Sequence, residues 1–83
     1  MAFSGMMEEI AKLLREWDPI GVAAELPDEY DAYVAGIHGL LRRDATAEQL
    51  AEHLSTIVRD EMGLRVNVER EQSIAERLVA LRH

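Results

Sequence analysis

The chain has 83 residues, 48% of them hydrophobic and 30% charged, which is typical of one small globular domain with a single modest core. Its 16 acids and 9 bases give a net charge of −7, a balance that repels nucleic-acid phosphates and anionic membranes. Because cysteine, a basic secretory start and a long apolar run are all missing from the sequence, we expect a cytoplasmic protein without disulfides or thiolate metal sites.

The first predicted helix ends at a proline-containing corner. Apolar residues recur at steps of three and four along it, namely Phe3, Met6, Ile10, Leu13, Leu14 and Trp17. The helix should end at Asp18, since a residue before proline disfavours the helical region. Asp18-Pro19-Ile20-Gly21 then fits a type I turn. The pattern predicts that Trp17 lies in the core.

The second helix is predicted to run from about Pro27 to about Arg43. Proline at the first position and acids in the first turn favour a helix start there. Its apolar stripe is Tyr30, Tyr33, Val34, Ile37, Leu40 and Leu41. Gly36 and Gly39 fall opposite this stripe. There they either allow close approach of another helix, or one is tolerated while the other marks a kink.

Capping signals define two more helices. Thr46-Ala47-Glu48-Gln49 is a capping box that begins a third helix, and Gly63 is placed to end it. Asn67 can cap a fourth helix, with Val68 as a candidate first member of its apolar stripe. Four amphipathic segments joined by short connectors predict an all-α fold, a small antiparallel bundle of about four helices forming one domain over 1–83. The core is closed within one chain or shared by two copies.

The excess negative charge is concentrated between the first two helices. Residues 16–31 contain six acids and no base. A local field of one sign favours a cationic partner, such as a basic protein surface, a divalent ion or a polyamine, although acids also confer solubility. The neighbouring tyrosines can be buried on one side and reachable on the other. The predicted partner-binding residues are Asp18, Glu25, Asp28, Glu29, Tyr30, Asp31 and Tyr33.

Catalysis is the function class that the sequence supports least. The three histidines lie on different elements, and no helical zinc-binding motif occurs. Asp31 and His38 are seven residues apart, as are His53 and Asp60, and two such pairs could converge on a metal or in proton transfer. Seven residues of helix rise about 10 Å, so a solvated or boundary histidine is the better interpretation. We therefore predict no catalytic residue, no cofactor and no metal.

Several short segments also carry a family resemblance. They are Trp17-Asp18-Pro19-Ile20-Gly21, Asp28-Glu29-Tyr30-Asp31-Ala32-Tyr33, Leu40-Leu41 and Met62-Gly63-Leu64. In combination they resemble the YugE-like family of small bacterial proteins over about residues 13–64. The resemblance implies a small all-helical fold and no enzyme activity. In size and charge alone, the chain is also similar to immunity proteins that neutralise bacterial nuclease toxins, a likeness that transfers no residues.

These features together predict a non-enzymatic acidic binding module. In this hypothesis an immunity-like inhibitor or adaptor presents carboxylates and tyrosines to a basic surface on another protein. One alternative is a homo-oligomeric structural or regulatory protein, for example a homodimer that pairs through the Gly36/Gly39 face or the stripe of the fourth helix. The other alternative is a small metal-dependent enzyme.

Overall fold

The computed structural model describes residues 5–19, 21 and 30–81, and these residues form four α-helices and no strand. The helices are α1 (Gly5–Trp17), α2 (Val34–Arg42), α3 (Ala47–Thr56) and α4 (Val68–Ala80). A 3₁₀ turn (Asp31–Tyr33) leads into α2, and a π-helical turn (Ile57–Glu61) extends α3. The predicted all-α bundle of about four helices is confirmed.

The predicted capping residues begin the helices as expected. The Thr46 hydroxyl accepts a hydrogen bond from the Gln49 amide at 3.1 Å, and the Gln49 side chain accepts one from the Thr46 amide at 2.8 Å. Asn67 accepts from the Arg70 amide at 3.1 Å at the start of α4. These bonds satisfy backbone donors that the first helical turn leaves free.

The end of α3 is where the structure departs from a regular helix. The Met62 amide donates to the Ile57 carbonyl at 3.0 Å, a bond to the fifth preceding residue, and the Leu64 amide donates to the Val58 carbonyl at 2.8 Å. Gly63 follows with a φ of 67°, the left-handed conformation that favours glycine. The predicted end at Gly63 is confirmed, but the last turn is π-helical.

The start of α2 differs from the prediction. Pro27 lies outside the described residues, and regular α-helix begins only at Val34. The Tyr33 amide donates to the Tyr30 carbonyl at 3.0 Å, an i to i+3 bond that makes the preceding turn 3₁₀. The α-helix is therefore shorter than the apolar pattern indicates, because part of that pattern belongs to the tighter turn.

The four apolar stripes meet in one core. Helix α1 packs against both α2 and α4, and α3 packs against α4, whereas the described parts of α2 and α3 stay further apart. Trp17 is only 3% exposed, as predicted. Val68 is 73% exposed, so the prediction that it begins the stripe of α4 is wrong. The buried stripe begins one turn later, at Glu71, and continues through Ile74, Ala75 and Leu78.

Candidate functional site

Asp18 forms the corner after α1. Its amide continues the helical bonding by donating to the Leu14 carbonyl, but its own φ of 38° ends the helix. The Gly21 amide donates to the Asp18 carbonyl at 3.1 Å, which closes the predicted turn, and also to Oδ1 at 3.1 Å. The carboxylate is thus used to fix the local backbone, by accepting from the amide three residues on.

Tyr30 belongs to the core. It is 1% exposed, its ring centroid lies 5.9 Å from that of Trp17, and its hydroxyl donates to Asp18 Oδ1 at 2.6 Å. The prediction that this phenol is reachable from solvent is wrong. The physical reason is that a buried tyrosine hydroxyl needs a hydrogen-bond partner, and the Asp18 carboxylate supplies one inside the fold.

The other predicted partner-binding residues divide into two groups. Asp31 and Tyr33 lie in the 3₁₀ turn, and both are partly exposed. Glu25, Asp28 and Glu29 lie outside the described residues. Within the described part of the chain, the predicted surface is therefore reduced to Asp31 and Tyr33, while Asp18 and Tyr30 hold the corner together.

Glu71 is a buried carboxylate that the sequence analysis missed. It is the one charged residue among the described positions whose exposure is 0%. Oε1 accepts from Trp17 Nε1 at 2.8 Å and from Arg70 Nε at 2.6 Å. Oε2 accepts from the Asn67 amide at 2.9 Å and from the Arg70 guanidinium at 3.1 Å. These bonds join the C-terminal end of α1 to the first turn of α4.

The hydrogen bonds determine the charge state of Glu71. Burial by itself raises the pKa of this carboxyl, but the bonds from Arg70, Trp17 and the Asn67 amide outweigh burial and hold the pKa below its ordinary value of 4.5. Glu71 is three residues before Ile74 and seven before Leu78, on the buried side of α4. This helical phase was the available sequence signal, because an acid in an apolar stripe requires partners.

A groove lies between α2 and α3, next to the predicted surface. One depression of about 390 Å³ is lined, among the described residues, by Ala32, Tyr33, Gly36, His53, Ile57 and Glu61. A second depression of about 280 Å³ is lined by Leu40, Gln49, Glu52, His53 and Thr56. We call these two depressions together the α2–α3 groove. His53 borders both of them.

Gly36 lies next to His53 in this groove. A Cβ placed on Gly36 would lie 3.7 Å from His53 Nε2, whereas one placed on Gly39 would meet nothing within 4 Å. Of the two glycines, only Gly36 therefore has a near neighbour, a side chain of α3, and the distance would also accommodate alanine. Partial burial lowers the pKa of His53 below its ordinary value of 6.5, and the ring is neutral at pH 7.

The α1–α4 groove, on another side of the bundle, is built differently. It has a volume of about 330 Å³ and is lined by Glu9, Lys12, Leu13, Glu16, Arg77, Ala80 and Leu81. Its charges are paired, since Arg77 contacts Glu16 at 2.8 Å and Lys12 contacts Glu9 at 3.4 Å. The acids of this groove are therefore compensated by bases within the same fold.

The histidine–aspartate pairs suggested by the sequence form no metal site in the described part of the chain. Asp60 pairs with Arg59 at 3.1 Å. No group of three or more side chains among residues 5–19, 21 and 30–81 is placed to hold a metal ion. The prediction that the protein uses no metal or cofactor stays a prediction.

Comparisons with protein families, with curated proteins and with solved structures found no match. The resemblance to the YugE-like family therefore stays a prediction. Among the described residues, no helix combines the length and the apolar character needed to cross a bilayer.

Proposed function

We propose that the protein is a non-enzymatic binding module that recognises a basic surface on another protein, in the manner of an inhibitor or adaptor. The observation that carries this proposal is the charge distribution. Residues 16–31 hold six acids and no base, so most of the net charge of −7 comes from this one segment. A concentrated field of one sign accelerates encounter with an oppositely charged partner and selects among partners.

Asp31, the last acid of this charged segment, and Tyr33 lie in the 3₁₀ turn that leads into α2. Both are partly exposed in the 3₁₀ turn. A half-exposed tyrosine ring offers a large contact area at small cost in conformational entropy, and such rings often dominate binding energy. In our proposal the carboxylates of Asp28, Glu29 and Asp31 attract the partner, Glu25 adds to the field, and Tyr33 supplies contact area. Asp18 and Tyr30 act indirectly, by fixing the corner from which the segment begins.

The test is a quantitative pull-down from a lysate of the source cell with an Asp28/Glu29/Asp31→Ala triple variant. We expect the recovery of specific partners to fall at least severalfold, because three carboxylates of the attracting segment are removed. The matched control is a Glu48/Glu69/Glu76→Ala triple variant, which removes the same charge from exposed positions on α3 and α4. Equal recovery by the wild type and the first triple variant would contradict the proposal.

A homo-oligomer is the second candidate, and a specific observation favours it. Leu64 and Val68 are large apolar residues that are 38% and 73% exposed around the connector between α3 and α4. The Gly36/Gly39 face has less to offer a second copy, because His53 of the same chain already lies against Gly36. Sedimentation at tens of micromolar distinguishes the candidates: a monomer would remove this one, and a dimer that a Val68→Asp variant dissociates would support it.

A further inference from the structure

Trp17 joins two sets of buried polar contacts. On one side, its indole N–H donates to Glu71 Oε1 of α4 at 2.8 Å. On the other side, its ring centroid lies 5.9 Å from that of Tyr30, whose hydroxyl donates to Asp18 Oδ1 at 2.6 Å. Since Asp18 follows Trp17 in the chain, Trp17, Asp18 and Tyr30 form a closed ring of contacts. We call these three residues the corner cluster, and the Trp17–Glu71 hydrogen bond ties it to α4.

The backbone at Asp18 adopts a conformation that is uncommon for a residue with a side chain. Its φ of 38° is positive, as is that of Asp44, at 59°, which offers a comparison within the described residues. Asp44 is exposed, whereas the Asp18 carboxylate is partly buried and accepts from the Gly21 amide and the Tyr30 hydroxyl. Strained conformations persist where surrounding contacts impose them, and they cluster in regions that switch between states.

Glu71 is the fixed point to which the corner cluster is attached. It is fully buried, Arg70 donates to both of its oxygens at 2.6 and 3.1 Å, and the Asn67 amide donates to Oε2 at 2.9 Å. Moving this carboxylate would leave buried donors unsatisfied, so it restrains the indole that donates to it. Tyr30 lies outside the α-helices, so regular helical bonding does not fix its position.

We infer that the Trp17–Glu71 hydrogen bond is a latch for the corner cluster. While the bond is intact, the indole packs against Tyr30, and the Asp18 carboxylate keeps the Tyr30 hydroxyl in the core. When the bond breaks, Asp18 relaxes from its left-handed conformation and Tyr30 opens to solvent, while the helices stay folded. The opening adds a second aromatic ring beside Tyr33, in the turn before α2. This inference goes beyond the proposed function, and its test needs no partner.

Nitration of tyrosine measures this opening, because the chain has two tyrosines and no cysteine. Tyr33 is partly exposed and Tyr30 is 1% exposed, so tetranitromethane should modify Tyr33 in the wild type and leave Tyr30 protected. Mass spectrometry of proteolytic peptides gives the rate at each ring. Tyr33 serves as the internal reference in every variant.

Trp17→Phe breaks the latch, because phenylalanine keeps an aromatic ring beside Tyr30 but has no N–H donor for Glu71. We expect nitration of Tyr30 relative to Tyr33 to become about two- to tenfold faster, the factor that corresponds to the loss of one hydrogen bond. The measurement is made under conditions in which circular dichroism shows a folded chain. Glu71→Met removes the acceptor from the other side of the same bond and should also expose Tyr30.

The matched control is Leu50→Val, which removes a buried methylene group from α3. It should lower the stability while Tyr30 stays as protected as in the wild type. Equal nitration of Tyr30 in Leu50→Val and Trp17→Phe would overturn the inference, since it would show global unfolding instead of local opening. A folded Trp17→Phe or Glu71→Met variant in which Tyr30 stays protected would overturn it as well.

Two substitutions of Asp18 test the other half of the corner cluster. Asparagine keeps an oxygen acceptor for the Tyr30 hydroxyl and tolerates the left-handed conformation, so Asp18→Asn should leave Tyr30 protected. Asp18→Ala removes the acceptor and disfavours that conformation, so it should expose Tyr30 as Trp17→Phe does. Exposure in both Asp18 variants, or in neither, would contradict the inference, because the acceptor and the backbone conformation would then not hold the ring.

Discussion

The two interhelical grooves differ in how their charges are compensated. In the α1–α4 groove, Arg77 pairs with Glu16 and Lys12 pairs with Glu9. The buried Glu71 of α4 accepts a hydrogen bond from Trp17 of α1 and so links the two helices nearby. In the α2–α3 groove, Glu52 and Glu61 have no lysine or arginine among the described lining residues, and a neutral histidine lies against a glycine. The helices of the first groove pack closely, whereas those of the second stand further apart.

This difference shows which charged side chains have a partner inside the chain and which do not. Charges that meet a partner inside the chain contribute to the native structure, and the buried ones among them contribute most. Charges without an internal partner are left for solvent or for another molecule. We therefore expect substitutions at the α1–α4 junction to change stability, and substitutions of the exposed acids in the α2–α3 groove to leave stability nearly unchanged. The following predictions test this division.

The largest effect should come from Glu71→Ala. It leaves the Trp17 indole and the Asn67 amide without their acceptor and removes the partner of Arg70. We expect the free energy of unfolding to fall by about 3 to 5 kcal/mol, the usual range when one partner of a buried pair is removed. Urea denaturation followed by far-UV circular dichroism measures the change.

The matched control for this prediction is Glu52→Ala in the open groove. Glu52 is exposed and forms no ion pair among the described residues, so we expect a change within about 0.5 kcal/mol. If both variants lost the same stability, the contrast between a structural acid and a free one would be wrong.

The second prediction concerns pH. His53 has a folded pKa below 6.5, so its contribution to stability is complete above 6.5 and is lost as pH falls toward the folded pKa. Glu71 has a folded pKa below 4.5, so its contribution is complete above 4.5 and is lost as pH falls through the folded pKa. We expect two separate losses of stability on acidification, measured by urea denaturation at successive pH values.

Variants assign each of these losses. His53→Gln should remove the loss that begins near 6.5 and leave the later one, because glutamine does not titrate. With Glu71→Gln, the stability difference from the wild type should shrink as pH falls through the folded pKa of Glu71. A difference that stayed constant across the acidic range would show that Glu71 does not act through its charge.

The smallest effect should come from the glycines of α2. Gly39→Ala should raise the free energy of unfolding by about 0.4 to 1 kcal/mol, since its Cβ meets nothing and alanine restricts the unfolded chain. Gly36→Ala should stabilise similarly, because 3.7 Å from His53 is an ordinary contact, while narrowing the α2–α3 groove. Thermal denaturation measures both variants.

Gly63→Ala is the control for these two substitutions. Gly63 adopts a φ of 67°, which costs alanine about 1 to 2 kcal/mol, so this variant should be destabilised. Stabilisation by all three substitutions would mean that the backbone conformation at Gly63 differs from the one described.

Local signals in the sequence were sufficient to predict much of the fold. The capping box at Thr46, the cap at Asn67 and the glycine at position 63 mark helix ends through bonds within a few residues. The apolar stripe of α1 predicts a buried Trp17 because helical periodicity is also local. These features depend on neighbours along the chain.

The candidate site was predicted only in part, because its residues depend on distant neighbours. Tyr30 is predicted to be buried on one side and reachable on the other, but its hydroxyl donates to Asp18, twelve positions earlier, and the residue is buried completely. The phase of Glu71 in the stripe of α4 indicates burial, but it does not indicate that Trp17, 54 positions earlier, donates to it. The π turn at Ile57–Glu61 follows no periodicity in the sequence. Contacts across such separations cannot be inferred from spacing.

An acidic all-α bundle, most of its helix ends apart from the start of α2, and the concentration of charge in residues 16–31 therefore follow from the sequence alone. The tertiary structure decided which acids are structural and which remain free. The physical reason is that a structural acid and a free acid are the same residue types and can occur in the same local sequence pattern. Only the arrangement of helices determines whether a donor from another part of the chain reaches it, as Trp17 reaches Glu71, or whether it faces an open groove, as Glu61 does.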